Sequence, residues 1–145
     1  MEDLDRQIVA HLVGDGRMSF TDLGRATGLS TSAVHQRVRR LEQRGIIRTY
    51  RAVVDPEAIG LSLTAFVSIK AADPGAEDDA PRLLSAIPAI EACYSVAGEE
   101  AYILKVRVGS PQALESLLSE IRTVAGVSTR TTVVLSTPFE DRLVL

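Results

Sequence analysis

Six arginines stand between Arg37 and Arg51, with one acid, Glu42, among them. Guanidinium groups grip phosphate oxygens and the edge of guanine through paired hydrogen bonds, so a run of this kind suits a polyanion. The same stretch holds Gln36 and Gln43, two of the chain's four glutamines, beside Ser32 and His35. Gln matches adenine and Ser several bases, which points to double-stranded DNA as the partner. The plainer alternative for an arginine run is a solvated helical face, and the surrounding elements must decide between the two. Catalytic constellations are sparse. No Gly-x-Ser-x-Gly elbow occurs, and Lys70 and Lys105 follow no phosphate-cradling glycine loop. His11 reads as a packed or solvated helix residue, Glu77-Asp78-Asp79 as a solvated acidic loop, and Cys93 as a buried strand residue. The chain is therefore read as a non-enzyme that requires no cofactor and binds no metal.

Side chains that read one groove must project from one rigid element. Ser30 caps a helix over 30–44 in which Val34, Val38 and Leu41 fall on one stripe. At 100° per residue, Ser32, Gln36, Arg39 and Gln43 lie opposite that stripe, flanked by His35 and Arg40. Ser32, His35, Gln36 and Arg39 are assigned to base readout, and Arg40, Arg44, Arg48 and Arg51 mainly to phosphates. Ser30 and Thr31 complete the surface at the helix start. Arg37 and Arg44 fall nearer the buried side, and for Arg37 an ion pair with Asp5 or Asp22 competes with a phosphate contact. Upstream, Leu4, Ile8, Val9, Leu12 and Val13 predict a helix over 3–14. Ser19, with Asp22 in the capping-box position, opens a short helix that stops at Gly28. Two short helices joined by a glycine-containing turn behind a longer helix describe a helix-turn-helix. Residues 46–54 are rich in β-formers and read as a strand or wing.

Over its 145 residues the chain carries a net charge of −3, which taken whole argues mildly against nucleic acid. The average conceals two halves. Residues 1–51 hold nine basic and six acidic residues, net +3, and the remainder seven and thirteen, net −6. Such asymmetry marks a nucleic-acid-binding part joined to something else. No apolar run approaches the ~18 residues of a membrane span, and an acidic N-terminus is unlike a secretory signal. A single cysteine excludes an intramolecular disulfide and a cysteine zinc cluster. A cytoplasmic protein is expected. Beyond a hinge at 53–60, which separates a domain over 1–52 from one over 61–145, the patterning alternates β-α-β-β-α-β. The strands fall at 61–70, 90–97, 102–108 and 127–137, with helices through Leu83, Leu84 and Ile87 and from Ser110-Pro111. That order is a ferredoxin-like sandwich, so the fold class is α+β, a winged helix-turn-helix followed by a βαββαβ domain. Val133, Val134 and Leu135 place apolar groups at both strand parities, so the second sheet face is expected to be covered by another copy in a homodimer.

Leu4-Asp5, Ile8-Val9, Asp15-Gly16-Arg17, Asp22-Leu23-Gly24 and the run Gly28-Leu29-Ser30-x-Ser32-x-Val34-x-x-Arg37-Val38-x-x-Leu41-Glu42-x-x-Gly45-Ile46-Ile47 closely resemble the Lrp/AsnC family of transcriptional regulators. The resemblance covers nearly the whole chain. It implies pairing through the C-terminal domain, assembly of dimers into octamers or disks, association with the nucleoid, and a small effector, usually an amino acid, at interfaces between dimers. The family's effector loop commonly reads Gly-x-x-Asp-Tyr, and here it is Gly98-Glu99-Glu100-Ala101-Tyr102. Ala101 stands where an aspartate would bond an effector's ammonium. Either Glu99 or Glu100 supplies that charge, or the specificity differs, or the effector is lost. Thr131 and Thr132 resemble the polar pair that lines the family's pocket. The reading is thus a sequence-specific DNA-binding regulator modulated by an amino acid. The rival is an effector-sensing and oligomerisation module that acts as a protein adaptor without binding DNA.

Overall fold

In the computed structural model, which describes residues 1–76 and 79–142, three helices open the chain: α1 Asp3–Gly14, α2 Phe20–Thr27 and α3 Thr31–Gln43. Their apolar stripes meet in one core, where Ile8, Leu23, Val34, Val38 and Leu41 are buried, with Leu12, Phe20, Leu29 and Ile47 packed around them. Ser19 caps α2 by accepting the Asp22 N–H at 3.0 Å. Gly28 ends α2 at φ +73°, a left-handed conformation that costs glycine no Cβ clash. The chain divides into two compact units, Met1–Val53 with the described residues from Phe139 onward, and Val54–Pro138.

The strand expected over 46–54 is absent. Two β-rich residues at its start turn back on the helix instead: the amides of Ile46 and Ile47 both donate to the Leu41 carbonyl, at 2.9 and 3.2 Å. A strand needs a partner ladder, and residues 48–54 have none, so they run as an irregular strap after α3.

The second unit holds four strands, β1 Leu63–Ala71, β2 Ile90–Ser95, β3 Tyr102–Val108 and β4 Val127–Val133, with helices α4 Ala80–Leu84 and α5 Pro111–Ala125. The sheet order is β2-β3-β1-β4 and every pairing is antiparallel. This is two interleaved βαβ units, the expected sandwich. Ala65, Val67, Ile69, Leu104 and Val106 point to the helices and join Leu84, Leu117 and Ile121 in the core. The intervening residues, Phe66, Ser68 and Lys70 of β1 among them, line the opposite, open face.

Several boundaries differ from expectation. α4 stops at Leu84, and Ile87 reaches the core from beyond it, its amide bonded to the Leu84 carbonyl at 3.0 Å. β4 ends at Val133, so the apolar triplet straddles a strand end, and Leu135 lies fully exposed outside the sheet. Cys93 is exposed rather than buried. It sits on edge strand β2, which has no outer neighbour. Glu77 and Asp78 of the acidic loop lie outside the described residues. Among the described residues no helix is long and apolar enough to cross a membrane.

Candidate nucleic-acid interface and effector loop

Gly24 and Gly28 make the turn between α2 and α3 possible, for different reasons. A Cβ on Gly24 would lie 2.5 Å from the Leu29 carbonyl oxygen, so only a glycine lets the turn close on α2, where the Leu29 amide bonds the Gly24 carbonyl at 2.9 Å. Nothing local in the sequence announces the need for glycine at 24, because the contact is with a residue five positions on. The turn delivers Ser30 to the start of α3, where its Oγ accepts the Ala33 N–H at 3.2 Å and lies 3.2 Å from the Ser32 Oγ. Ser30 is thus a helix cap as well as a member of the expected DNA surface.

Along α3 the phasing is as expected. Val34, Val38 and Leu41 are buried, while Thr31, Ser32, His35, Gln36, Arg39, Arg40 and Gln43 are exposed. Gln36, Arg39, Arg40 and Gln43 line one open depression on the outer side. His35 packs its ring edge-on against Phe20 of α2, with centroids 5.4 Å apart, which fixes its position on that surface. Arg37 turns inward: its guanidinium meets Asp5 Oδ1 and Glu2 Oε2, both at 2.8 Å, and the side chain is only 18% exposed. The hydrogen bonds to Glu2 and Asp5 raise its pKa further above the ordinary arginine value. Of the two readings left open for Arg37, the ion pair to α1 is the one found.

By contrast, Arg39, Arg40, Arg44, Arg48 and Arg51 are exposed and form no ion pair with any described residue. Arg44 ends α3, and Arg48 and Arg51 lie on the strap. The strap is held at Tyr50, whose hydroxyl donates to Glu42 Oε1 at 3.0 Å. Partial burial and that carboxylate push the Tyr50 pKa up to about 12. Neither partner was picked out as functional from sequence. The signal available was Glu42's isolation among arginines.

In the second unit Gly98–Ala101 form the bend between β2 and β3. The Ala101 amide bonds the Ile69 carbonyl and its carbonyl accepts the Val96 amide, both at 3.1 Å. Glu100 pairs with Arg130. Glu99 and Glu100 share a depression with Ser68, Lys70, Ser128 and Arg130, all on the open sheet face. The expected site residues do not all converge there. Thr131 and Thr132 are consecutive in β4 and so occupy opposite faces: Thr131 pairs with buried Val67, Thr132 with exposed Phe66. Tyr102 faces the helices and packs against their core. Lys70, Ser128 and Arg130 were missed, because only strand register sets them beside the loop. Among the described residues no group of three or more His, Cys, Asp or Glu could hold a metal.

Comparison with known proteins places both units. Residues 1–42 match the AsnC-type helix-turn-helix domain, and residues 64–144 the Lrp/AsnC ligand binding domain. The HTH-type transcriptional regulator LrpA of Mycobacterium tuberculosis is 52% identical over 142 residues, spanning 98% of this chain and 95% of that protein. The leucine-responsive regulatory protein of Klebsiella pneumoniae is 38% identical over 140 residues, covering 93% and 85%. Among solved structures, the feast or famine regulatory protein from M. tuberculosis complexed with L-methionine superposes with a TM-score of 0.95 at 52% identity, covering 98% of this chain and 97% of that one.

Proposed function

We propose, from the premise that this chain belongs to the Lrp/AsnC family of transcriptional regulators, that it reads DNA with α3 and takes an amino-acid effector at the β2–β3 loop. The observation that carries the DNA reading is the set of five exposed arginines on α3 and the strap, all without ion-pair partners among the described residues. Unpaired guanidinium groups on one helix and its extension are matched by phosphates, and Ser32, His35, Gln36 and Arg39 supply groups that fit base edges. Ser30 and Thr31 start that surface, and Arg40, Arg44, Arg48 and Arg51 hold the backbone.

The active unit is a homodimer through the open faces of the C-terminal sheets, assembled further into an octamer, and it works in the cytoplasm on the nucleoid. The domains are 1–52 for DNA and 61–145 for effector and assembly, with 53–60 as hinge. No catalytic step is assigned. The effector site is built on Gly98, Glu99, Glu100 and Ala101 with Thr132, while Tyr102 and Thr131 turn to the helix side of the sheet. Two acids beside Lys70 and Arg130 suit a zwitterion, and a relative has been solved with L-methionine. Coupling between such sites is typically about 1–3 kcal/mol.

Selecting bound duplexes from a random pool, with and without amino acids, tests the reading. With about three phosphate contacts per subunit, the dimer's log K falls with log salt at a slope near −5. Arg39→Ala/Arg40→Ala loses DNA affinity while fold and assembly stay. Retained affinity in that variant, or a slope near zero, overturns the DNA reading and leaves the adaptor. Calorimetric titration with the twenty amino acids, finding none bound below millimolar, removes the effector.

A further inference from the structure

An arginine-rich DNA face works only if its positive charges stay unpaired until phosphate arrives. Glu42 threatens that condition. It is the sole acid between Arg37 and Arg51, it is exposed, and it lies on the last turn of α3. Arg39 stands three residues before it, the spacing at which side chains on a helix meet and pair. Yet no Arg39–Glu42 pair forms. The Glu42 carboxylate is held instead by the neutral hydroxyl of Tyr50 at 3.0 Å, on the strap that follows the helix. The tyrosine ring is itself located, lying beside the turn between α1 and α2, where a Cβ on Gly16 would be 4.0 Å from Tyr50 Cδ1.

We propose that Tyr50 is a positioning residue for DNA binding: by engaging Glu42 it docks the strap bearing Arg48 and Arg51 against α3 without consuming an arginine, and keeps Arg39 free. A salt bridge would dock the strap as well, but at the cost of one positive charge on the face. A phenol spends none. The inference rests on the DNA reading above and concerns how the arginine face is kept open.

The test uses the full-length protein and a short labelled duplex of random sequence, since the electrostatic part of binding needs no operator. Tyr50→Phe releases Glu42 to pair with Arg39 or to face the phosphates. On a duplex of random sequence Arg39 has no matched base and rests on phosphate, so affinity drops about threefold to tenfold and the salt slope becomes shallower by about one per protomer. Glu42→Gln keeps an acceptor for the hydroxyl and binds as tightly as the native protein or tighter. The double variant Tyr50→Phe/Glu42→Gln recovers the part of the affinity that the freed carboxylate removes and stays below the native protein only by the part owed to strap docking. A purely structural role for the bond would allow no recovery. In an Arg39→Ala background the Tyr50→Phe effect shrinks, because its target is gone. The inference is overturned if Tyr50→Phe leaves affinity and slope unchanged, or if the double variant binds as weakly as Tyr50→Phe. Should Tyr50→Phe fail to fold, judged by helical circular dichroism, Glu42→Gln alone decides, and weaker binding overturns it. A flat slope for the native chain overturns the DNA reading itself. A steep native slope with no response to Tyr50→Phe overturns this inference alone.

Discussion

Gly24 and Tyr50 each carry a burden that their residue type alone explains. At Gly24 the obstacle is backbone: a Cβ would sit 2.5 Å from the Leu29 carbonyl oxygen, which cannot swing aside as a side chain could. Gly24→Ala therefore destabilises the helix-turn-helix by about 1–3 kcal/mol, the usual range for overpacking, and a lowered urea midpoint reports it. Gly28 differs, having a left-handed φ of +73° and open space around it. Gly28→Asn is accordingly tolerated far better, since Asn enters that region more readily than other side chains. For Tyr50, partial burial first and the Glu42 carboxylate second raise the phenol from 10.0 to about 12. The folded state thus prefers the protonated form. That contribution to stability is complete below pH 10 and is lost as pH rises through about 12. Because the residue is 48% exposed, solvent screening holds the contribution below about 1 kcal/mol. An alkaline absorbance titration shows a late tyrosinate component that Tyr50→Phe removes. If the component survives in the variant, the assignment to Tyr50 fails.

Elements were legible in proportion to how local their causes are. The caps at Ser19 and Ser30, the stop at Gly28 and the inward stripe of α3 are signals within a turn or two of the residues that they govern, and each stands where the sequence put it. The strand expected over 46–54 rested on residue preference alone, and preference makes no strand without a partner to complete the ladder. The candidate effector loop is legible by its position between the second and third strands, but its neighbours Lys70, Ser128 and Arg130 arrive through strand register, which no local pattern encodes. The paired threonines failed for a simpler reason, since consecutive strand residues face opposite ways. Ser30 gives an element-scale prediction. Its Oγ accepts the Ala33 amide, so Ser30→Ala removes the α3 cap and costs about 1 kcal/mol, measured as a lower thermal midpoint. Ser32→Ala leaves the cap in place and changes DNA affinity without that loss of stability. Equal midpoints for the two variants would deny Ser30 its capping role.

At the scale of the whole molecule, the net −3 divides into +3 on the first 51 residues and −6 on the rest, so the acidic half is repelled by the polyanion that the basic half binds. What the acidic half presents for assembly is the open face of its sheet. Phe66 there is 37% exposed and Tyr94, next to last in edge strand β2, is 51% exposed. The helices of the same unit cover only the other face, so a second copy is the proposed cover, and such a dimer would carry two α3 helices for one duplex. Phe66→Glu tests this. Its register partners are Lys105 on β3, which already holds Glu91, and Thr132 on β4; the position is exposed on the open face, so the substitution leaves the helix-side core untouched and the fold intact. Facing its counterpart across a seam centred on Phe66, the same carboxylate is brought against a like charge, which forces the pair apart. Light scattering then gives half the native mass with unchanged circular dichroism. DNA affinity falls by about a hundredfold or more, as the second binding event ceases to be intramolecular. A native mass for the variant would move the dimer seam away from this face. A halved mass with undiminished affinity would mean that one helix-turn-helix unit suffices to hold DNA.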